Sequence, residues 1–395
     1  MKYTFSDKIA ELKPSAIREI FKSLTDPSVI SFAAGNPAPE SFPVRELSQL
    51  SAELFQTNAN QALQYGITEG YTPLREAIEE RQKEKFGTVR EGDNTLIVSG
   101  GQQGIELTCK VLCNEGDVVV CEDPSFIGAL NSFRSNGAKT VGVPVEEDGI
   151  SVEALEETLR TTKNVKLLYL IPTFQNPSGI TMSLAKRKAV LALAKQYGVI
   201  ILEDNPYGEL RFAGEDLSTI KSLDTDGIVV YCSSFSKILS AGMRVGFVIA
   251  PQELAKKLVV AKQGEDVHTN LFFQMLCHAY VTRYDLDAHI RSINELYRRK
   301  CNLMLSCIDE SIPADRVTFT RPEGGLFIWG TVKDFSDSST LVKKALEKKV
   351  AVVPGSAFLC DLSATSPSFR LNYSTPSDEQ IVEGIGRLGE VIRSL

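Results

Sequence analysis

The feature that most constrains the fold is an alternation of short, continuous apolar runs with helical patterns through the middle of the chain. The apolar runs are Thr95–Val98, Val118–Cys121, Thr140–Val145, Val165–Ile171, Val199–Leu202, Ile228–Cys232 and Val245–Ile249. Helical patterns such as Gln102–Leu112, Ser125–Ser135 and Ser183–Tyr197 lie between them. Continuous apolar strands separated by helices are typical of strands buried on both faces. The pattern predicts an α/β fold with a mostly parallel seven-stranded sheet sandwiched by helices.

The pattern changes after about Asp285, where a long charged helix leads into short strands and further helices. This arrangement is typical of a smaller α+β domain. At the other end, an apolar helical pattern between Ser6 and Leu24 is interrupted by Pro14. We therefore predict three parts: an N-terminal arm and helix (residues 1–45), a large domain (46–285) and a small C-terminal domain (286–395).

Charge and cysteine usage exclude several classes of protein. The net charge of −7 argues against general binding to nucleic acid or to a membrane surface. The eight cysteines are scattered without a CxxC pair, and the histidines show no metal-binding spacing, so we expect reduced thiols and no metal. The sequence shows neither a signal peptide nor an apolar run of membrane-spanning length, which predicts a cytoplasmic protein.

Polar and small residues cluster where predicted strands end, which is where open α/β sheets bind ligands. Ser99-Gly100-Gly101-Gln102 follows one strand and opens a helix, where small residues and free N–H groups suit a phosphate. Another strand leads into Ser234-Phe235-Ser236-Lys237, with Arg244 seven residues further. Hydroxyls and a guanidinium beside an amine predict a phosphate site next to a reactive lysine.

These segments resemble the class I/II aminotransferases, which are fold-type-I pyridoxal-phosphate enzymes, and most of all their aminoadipate, kynurenine and aromatic branch. The resemblance extends from about Arg18 to the C-terminus. The motifs that carry it are Gly35-Asn36-Pro37, Tyr65-Gly66, Gly70-Tyr71-Thr72-Pro73-Leu74-Arg75, Ser99-Gly100-Gly101-Gln102-Gln103, Asp123-Pro124-Ser125-Phe126, Gln175-Asn176-Pro177-Ser178-Gly179, Glu203-Asp204, Pro206-Tyr207, Ser234-Phe235-Ser236-Lys237, Arg244, Pro322, Gly324-Gly325, Phe327, Trp329 and Phe369-Arg370-Leu371.

The resemblance implies a chemical role for each residue near the cofactor ring. Lys237 would carry pyridoxal phosphate as a Schiff base and then move a proton between the substrate and the cofactor. Asp204 would keep the pyridine nitrogen protonated, so that the ring accepts electrons. Tyr207 and Asn176 would bond the ring hydroxyl oxygen, and Phe126 would stack on the ring face.

The resemblance also implies how the anionic groups are held. The phosphate would be bound by Gly101, Gln102, Ser234, Ser236 and Arg244, with Tyr65 reaching over from a second subunit of a homodimer. Arg370 would grip the substrate α-carboxylate, helped by Asn176 and the Gly35 backbone. For Arg18, contact with a substrate side chain and a solvated helix face both remain open.

Two positions depart from the usual pattern of the branch. Phe126 stands where the branch often has tyrosine, so stacking is retained and any hydroxyl role is lost. Gly101 stands where the branch often has serine, so one hydroxyl contact to the phosphate is missing. The resemblance further predicts cis peptide bonds at Asp123–Pro124 and Asn176–Pro177.

The expected function is transfer of an amino group from an aromatic or long-chain amino acid, such as 2-aminoadipate, to 2-oxoglutarate. Another pyridoxal-phosphate reaction on the same scaffold is the first alternative: a C–S lyase, a racemase or a decarboxylase. A transcription regulator with an aminotransferase-like domain is disfavoured, because the motifs begin too early to leave room for a DNA-binding domain. A catalytically inactive relative is disfavoured because Lys237, Asp204 and Arg370 are all present.

Overall fold

The computed structural model describes residues 3–10 and 26–395. The α-helices in this part of the chain are Asp7–Ala10, Val44–Thr57, Ala59–Ala62, Thr72–Arg81, Gly101–Leu112, Ile127–Ser135, Val152–Thr161, Leu184–Tyr197, Ile220–Leu223, Gln252–Gln263, Leu271–Arg283, Leu286–Ser311, Ser339–Glu347 and Asp378–Arg393. Short 3₁₀ segments lie at Pro39–Ser41 and Gly355–Phe358, and Gln82–Phe86 is a π-helical turn.

Three sheets contain the strands, which we number in chain order. The strands are β1 (Ile30–Ser31), β2 (Asp93–Val98), β3 (Val118–Asp123), β4 (Lys139–Glu146), β5 (Gly149–Ile150), β6 (Val165–Leu170), β7 (Ile200–Asp204), β8 (Val229–Ser234), β9 (Gly246–Pro251), β10 (Val317–Phe319), β11 (Phe327–Val332), β12 (Val350–Ala351), β13 (Val353–Pro354) and β14 (Ser368–Asn372).

The large sheet has the order β2-β9-β8-β7-β6-β3-β4-β5. Strands β8, β7, β6, β3 and β4 run parallel to one another, whereas β9 is antiparallel to both of its neighbours. All seven predicted strands are present, and the two-residue β5 adds an eighth at the edge. The parallel strands β3, β6, β7 and β8 are mostly buried because helices cover both faces, whereas β4, near the edge of the sheet, is more exposed. The predicted α/β fold is therefore confirmed.

A second, smaller sheet has the order β10-β11-β14-β13. The long helix Leu286–Ser311 and the C-terminal helix Asp378–Arg393 pack together beside it. Ser377 and Gln380 form a capping box that starts the C-terminal helix. Strand β1 pairs in parallel with β12 and so ties residues 30–31 to the C-terminal part of the chain. The boundaries at residues 45 and 285 stay a prediction.

The topology places several chemically active segments at one edge of the large sheet. The parallel strands β3, β6, β7 and β8 end there, because their carboxyl ends point the same way. The loops that follow these strands contain the Asp123–Pro124 and Asn176–Pro177 bonds, which are both cis, as predicted. Within residues 3–10 and 26–395, no helix combines the length and apolar character needed to cross a membrane.

Candidate active site

Lys237 lies just after β8, and its amine points into a cleft between the two larger sheets. Its Nζ donates a hydrogen bond to the Gly35 carbonyl oxygen at 2.8 Å and lies 5.9 Å from the centre of the Tyr207 ring. Burial and, to a smaller extent, the nearby cations Arg370 and Arg244 together lower the pKa of Lys237 to about 8, while Asp204 acts in the opposite direction. The shift increases the share of unprotonated amine near neutral pH, which is the form that a nucleophile or general base requires.

Asp204 is the last residue of β7, and its side chain is almost completely buried, at 3% exposure. The Tyr169 hydroxyl donates a hydrogen bond to Asp204 Oδ2 at 2.7 Å. Burial raises the pKa of Asp204 to about 7, while the Tyr169 hydrogen bond and the charge of Lys237 act in the opposite direction. A buried carboxylate of this kind is stabilised when a cation or a protonated nitrogen lies beside it.

A chain of hydrogen bonds joins the Tyr207 hydroxyl to the small sheet. Asn176 Nδ2 donates to the Tyr207 hydroxyl oxygen at 3.3 Å, and Arg370 Nη1 donates to Asn176 Oδ1 at 2.8 Å. These contacts fix the orientation of the Asn176 amide, whose oxygen must face the cation. Burial raises the pKa of Tyr207, so the hydroxyl keeps its proton and can act as a donor.

Arg370 lies on β14, and its guanidinium is 2% exposed. Nη2 donates to the Ala33 carbonyl oxygen at 2.8 Å, whereas Nε has no hydrogen-bond partner among the described residues. The guanidinium lies over the rings of Phe327 and Phe358, at 4.2 and 4.9 Å from their centres. Burial lowers the pKa of Arg370 to about 10, so it stays protonated at neutral pH. A buried cation with an unsatisfied donor is suited to binding a carboxylate.

The N-terminus of helix Gly101–Leu112 and Arg244 form an anion cradle. Gly100 has a φ of +79°, and a Cβ at this position would collide with the Arg244 guanidinium. Arg244 Nη2 donates to the Ser99 carbonyl oxygen at 3.2 Å, which holds the guanidinium against the turn. The free N–H groups at the start of the helix and the guanidinium together favour an anion.

Two serine hydroxyls complete this cradle on the β8 side. Ser234 Oγ and Ser236 Oγ are 2.6 Å apart, and Arg244 Nη1 lies 3.5 Å from Ser236 Oγ. The Ser236 N–H also donates to Ser234 Oγ at 3.0 Å. Hydroxyls, a guanidinium and a helix N-terminus are the donor set that a phosphate group requires.

Two further predicted cofactor residues, Gln102 and Phe126, lie next to helix Ile127–Ser135. Gln102 Nε2 donates to the Gly128 carbonyl oxygen at 2.9 Å and to the Ser132 hydroxyl at 2.7 Å. The Gln102 side chain is therefore occupied with helix Ile127–Ser135, and its backbone N–H is the group left at the helix N-terminus. Phe126 is the N-cap residue of that helix and is partly buried.

The structure does not bring every predicted residue into this cleft. The residues that it places around the cleft or its cradle are Gly35, Gly101, Gln102, Phe126, Asn176, Asp204, Tyr207, Ser234, Ser236, Lys237, Arg244 and Arg370. Tyr65 is 80% exposed and instead contacts the edge of the His268 ring, 5.7 Å away between centroids. Arg18 lies outside the described residues.

Sequence reasoning missed three buried aromatic residues at the site. Tyr169 contacts Asp204, and Phe327 and Phe358 flank the Arg370 guanidinium. A tyrosine within the run Leu167-Leu168-Tyr169-Leu170 was a usable signal, because a buried hydroxyl needs a partner. Phe327 falls inside a matched motif, whereas nothing in the sequence around Phe358 pointed to the site.

The histidines and cysteines have structural surroundings. His268 accepts from the Gly66 N–H, and His278 and His289 pack edge-on against tyrosine rings. The eight cysteines are all free thiols. In the part of the chain that the structure describes, no group of three or more histidine, cysteine or acidic side chains has the arrangement needed to hold a metal ion.

Comparison with known proteins identifies the family. Residues 27–388 match the family profile described as aminotransferase class I and II. The chain is 42% identical over 393 residues to an aromatic-amino-acid aminotransferase from Thermococcus litoralis, covering 98% of this chain and 94% of that protein. It is 38% identical over 394 residues to a 2-aminoadipate transaminase from Thermus thermophilus, covering 99% and 97%. The structure superposes on a kynurenine aminotransferase from Pyrococcus horikoshii with a TM-score of 0.95 at 39% identity, covering 99% and 97%.

The cofactor of this family fits the residues that are present. The cradle at Gly101, Ser234, Ser236 and Arg244 offers the donors that a phosphate needs. The buried Asp204 carboxylate suits a protonated ring nitrogen, and the Lys237 amine suits a carbonyl carbon. The match over most of the chain, together with this donor set, leads to one conclusion: the chain belongs to the class I and II aminotransferases and is a pyridoxal-phosphate-dependent enzyme.

Proposed function

We propose that this enzyme transfers an amino group from an aromatic or long-chain L-amino acid, such as 2-aminoadipate, to 2-oxoglutarate in a ping-pong reaction. The observation that carries the proposal is the buried Arg370 guanidinium beside Lys237, with an unsatisfied Nε and two aromatic rings around it. An arginine in this position serves every α-amino and α-keto acid alike, because all of them have a carboxylate next to the reacting carbon. Both half-reactions can therefore use one site in turn.

Support for the donor class comes from the relatives. Phe327 and Phe358 are buried with their ring faces against the Arg370 guanidinium, so they hold the arginine rather than select the donor. Relatives at 42% and 38% identity are named an aromatic-amino-acid aminotransferase and a 2-aminoadipate transaminase, which agrees with this class. Arg18 remains our candidate for recognising a second carboxylate.

In the proposed mechanism, the chain holds its reactants and moves one proton. When bound, pyridoxal phosphate supplies a ring that accepts electrons and so stabilises negative charge at the substrate Cα. Arg370 binds the α-carboxylate, with the Asn176 amide held in place beside it. Lys237, whose pKa of about 8 leaves it partly neutral, would be the group that moves a proton to and from the substrate Cα.

The remaining proposed roles concern the cofactor ring and its phosphate. Asp204 would hold a proton on the pyridine nitrogen, and Phe126 would cover one ring face. Tyr207 and Asn176 would hydrogen-bond the ring hydroxyl oxygen, and the Gly35 backbone would help to hold the substrate carboxylate. The phosphate would be held by the backbone of Gly101 and Gln102 and by the side chains of Ser234, Ser236 and Arg244.

We further propose a homodimer with shared active sites, in which Tyr65 reaches the phosphate of the neighbouring subunit. Tyr65 is one of several strongly exposed apolar side chains in its segment, with Phe55, Leu63 and Ile67, and it contacts His268, which follows the exposed Val267 in the chain. Large apolar side chains left exposed in this way are typical of an interface between subunits. The three-part domain division remains part of the proposal, and the eight free thiols agree with a reducing compartment such as the cytoplasm.

The proposed reaction is tested by supplying L-tyrosine, L-phenylalanine, L-kynurenine or L-2-aminoadipate together with 2-oxoglutarate and measuring glutamate. We expect glutamate only when both substrates are present, and parallel double-reciprocal lines when the two concentrations are varied, as a ping-pong reaction requires. Racemised donor or elimination products without glutamate that depends on a keto acid would overturn the proposal. Glutamate from small aliphatic donors alone would overturn the donor class only.

A second prediction concerns Lys237. Borohydride reduction of the yellow holoenzyme should attach the cofactor to the peptide that contains Lys237. Lys237→Ala should lose this attachment and at least about 100-fold in kcat, the lower end for general acid–base catalysis. Lys256→Ala, which removes an exposed lysine of helix Gln252–Gln263, serves as the control and should keep both. Equal covalent labelling of the Lys237→Ala protein would show that the assignment is wrong.

The dimer is tested by mixing Tyr65→Phe chains with Lys237→Ala chains at limiting cofactor. In a mixed dimer, Lys237 of one chain meets Tyr65 of the other, so about a quarter of all sites should be fully intact after random exchange. Activity should rise above the sum of the two separate variants. No rise despite subunit exchange, or full activity of a monomer by light scattering, would contradict shared sites.

A further inference from the structure

Tyr169 occupies an unusual place among the residues close to the catalytic centre. It lies on β6, directly beside Leu202 of β7, and its side chain has no solvent exposure. Its neighbours in the strand are leucines, so the sequence alone indicates a position in the apolar core. A phenylalanine would fill the same space, and the hydroxyl is the only feature that distinguishes tyrosine here.

The hydroxyl has one partner among the described residues, which is Asp204 Oδ2 at 2.7 Å. The Tyr169 ring packs edge-on against Phe133, with 5.3 Å between the ring centroids. Because the ring is held on a central strand, the hydroxyl has a fixed position and the carboxylate must orient toward it. Burying a hydroxyl without a partner costs free energy, so the Asp204 contact is maintained by both groups.

The two oxygens of Asp204 face different surroundings. Oδ2 accepts from Tyr169 on the side of the sheet core. Oδ1 faces the start of helix Gly101–Leu112, where it lies 3.9 Å from the position that a Cβ on Gly101 would occupy. That helix start forms the phosphate cradle, so Oδ1 is the oxygen on the cofactor side. Because Oδ2 accepts the Tyr169 hydrogen bond, Oδ1 is the oxygen that is available to the ring nitrogen of the cofactor.

We propose that Tyr169 is a positioning residue for Asp204, holding the carboxylate ionised and oriented with Oδ1 toward the pyridine nitrogen. This inference rests on the proposed role of Asp204. Tyr169 itself does not touch the substrate or the reacting atoms; it acts through the carboxylate. An O–H donor to one carboxylate oxygen favours the charged form, which the buried surroundings of Asp204 would otherwise disfavour.

The other titratable groups around Asp204 do not replace this contact. Lys237 favours the carboxylate through its charge alone. Burial raises the pKa of Glu122 to about 8 and also raises the pKa of Cys232, so both groups are favoured in their neutral forms. Tyr207 likewise keeps its proton. Tyr169 is therefore the neutral hydrogen-bond donor that, together with the charge of Lys237, favours the ionised form of Asp204 against the effect of burial.

The test compares Tyr169→Phe with Tyr231→Phe. Tyr231 is an equally buried strand tyrosine, whose hydroxyl accepts from Asn205 rather than contacting Asp204. In the cofactor-free protein, the Asp204 carboxyl band, identified by its loss in Asp204→Asn, is titrated by infrared spectroscopy. Tyr169→Phe should move its midpoint to higher pH, whereas Tyr231→Phe should leave it unchanged.

Cofactor affinity and turnover provide the second set of measurements. We expect Tyr169→Phe to bind pyridoxal phosphate about tenfold more weakly, as followed by Trp329 fluorescence, because a hydrogen bond to a charged group is lost. We expect kcat to fall about tenfold with KM changed by less than about twofold, since the substrate contacts are intact. When the pH is lowered, the cofactor affinity of Tyr169→Phe should begin to fall at a higher pH than the affinity of the wild type.

A double-mutant cycle separates the possible outcomes. In an Asp204→Asn background, Tyr169→Phe should have almost no further effect on affinity or kcat. If Asp204→Asn is harmless, the proposed role of Asp204 itself is wrong. Two outcomes overturn only the positioning role of Tyr169, provided that Asp204→Asn strongly reduces affinity and kcat. In the first, Tyr169→Phe has no larger effect than Tyr231→Phe. In the second, the effect of Tyr169→Phe adds fully to the effect of Asp204→Asn. Thermal unfolding of all variants identifies any general loss of stability.

Discussion

The hydrogen bond between Arg370 and Asn176 joins the small sheet to the carboxyl edge of the large sheet, and the geometry of the cleft depends on it. Arg370 is carried by β14, whereas Asn176 follows β6, so the contact crosses between the two halves of the molecule. Breaking such a contact would remove a hydrogen bond to a buried charge, which is typically worth about 1.5–3 kcal/mol. The same amide donates to Tyr207, and so the contact also fixes the ring-facing hydroxyl.

Around this contact, burial and charge act against one another to set the protonation states. Desolvation raises the pKa of Asp204 to about 7 and lowers that of Lys237 to about 8, so both groups are sensitive to their neighbours near neutral pH. Arg370 and Arg244 push Lys237 toward the neutral amine, while the Tyr169 hydrogen bond pushes Asp204 toward the carboxylate. A fold that buries these groups together therefore brings an amine and a carboxyl group with strongly shifted pKa values into one site.

Much of this arrangement was predictable because it depends on local sequence. Continuous apolar runs predicted the buried strands, and the short motifs around Asp204, Lys237 and Arg370 follow strand ends or lie within strands whose position the fold determines. The phosphate cradle also followed from short motifs, and both cis proline bonds followed from the family resemblance that such motifs carry. In each case, the signal lies in residues that are close together in the chain.

What could not be predicted depends on residues that meet only after folding. The contact between Tyr169 and Asp204 requires the register of two adjacent strands, and Phe358 reaches Arg370 from a separate turn. The rotation of the Gln102 side chain toward Gly128 and Ser132 depends on how two helices pack. The predicted role of Tyr65 requires a second chain, so no single-chain geometry places it near Lys237.

The central claim is that a buried, ionised Asp204 makes the bound cofactor an effective electron acceptor for a substrate held by Arg370 and deprotonated by Lys237. The most direct measurement is exchange of the α-hydrogen of L-phenylalanine for deuterium, followed by NMR in D₂O without a keto acid. We predict that Asp204→Asn still carries the cofactor on Lys237 but exchanges this hydrogen at least about 100-fold more slowly than the wild type, because a contact worth several kcal/mol is lost. Exchange at close to the wild-type rate in the loaded Asp204→Asn protein would contradict the account.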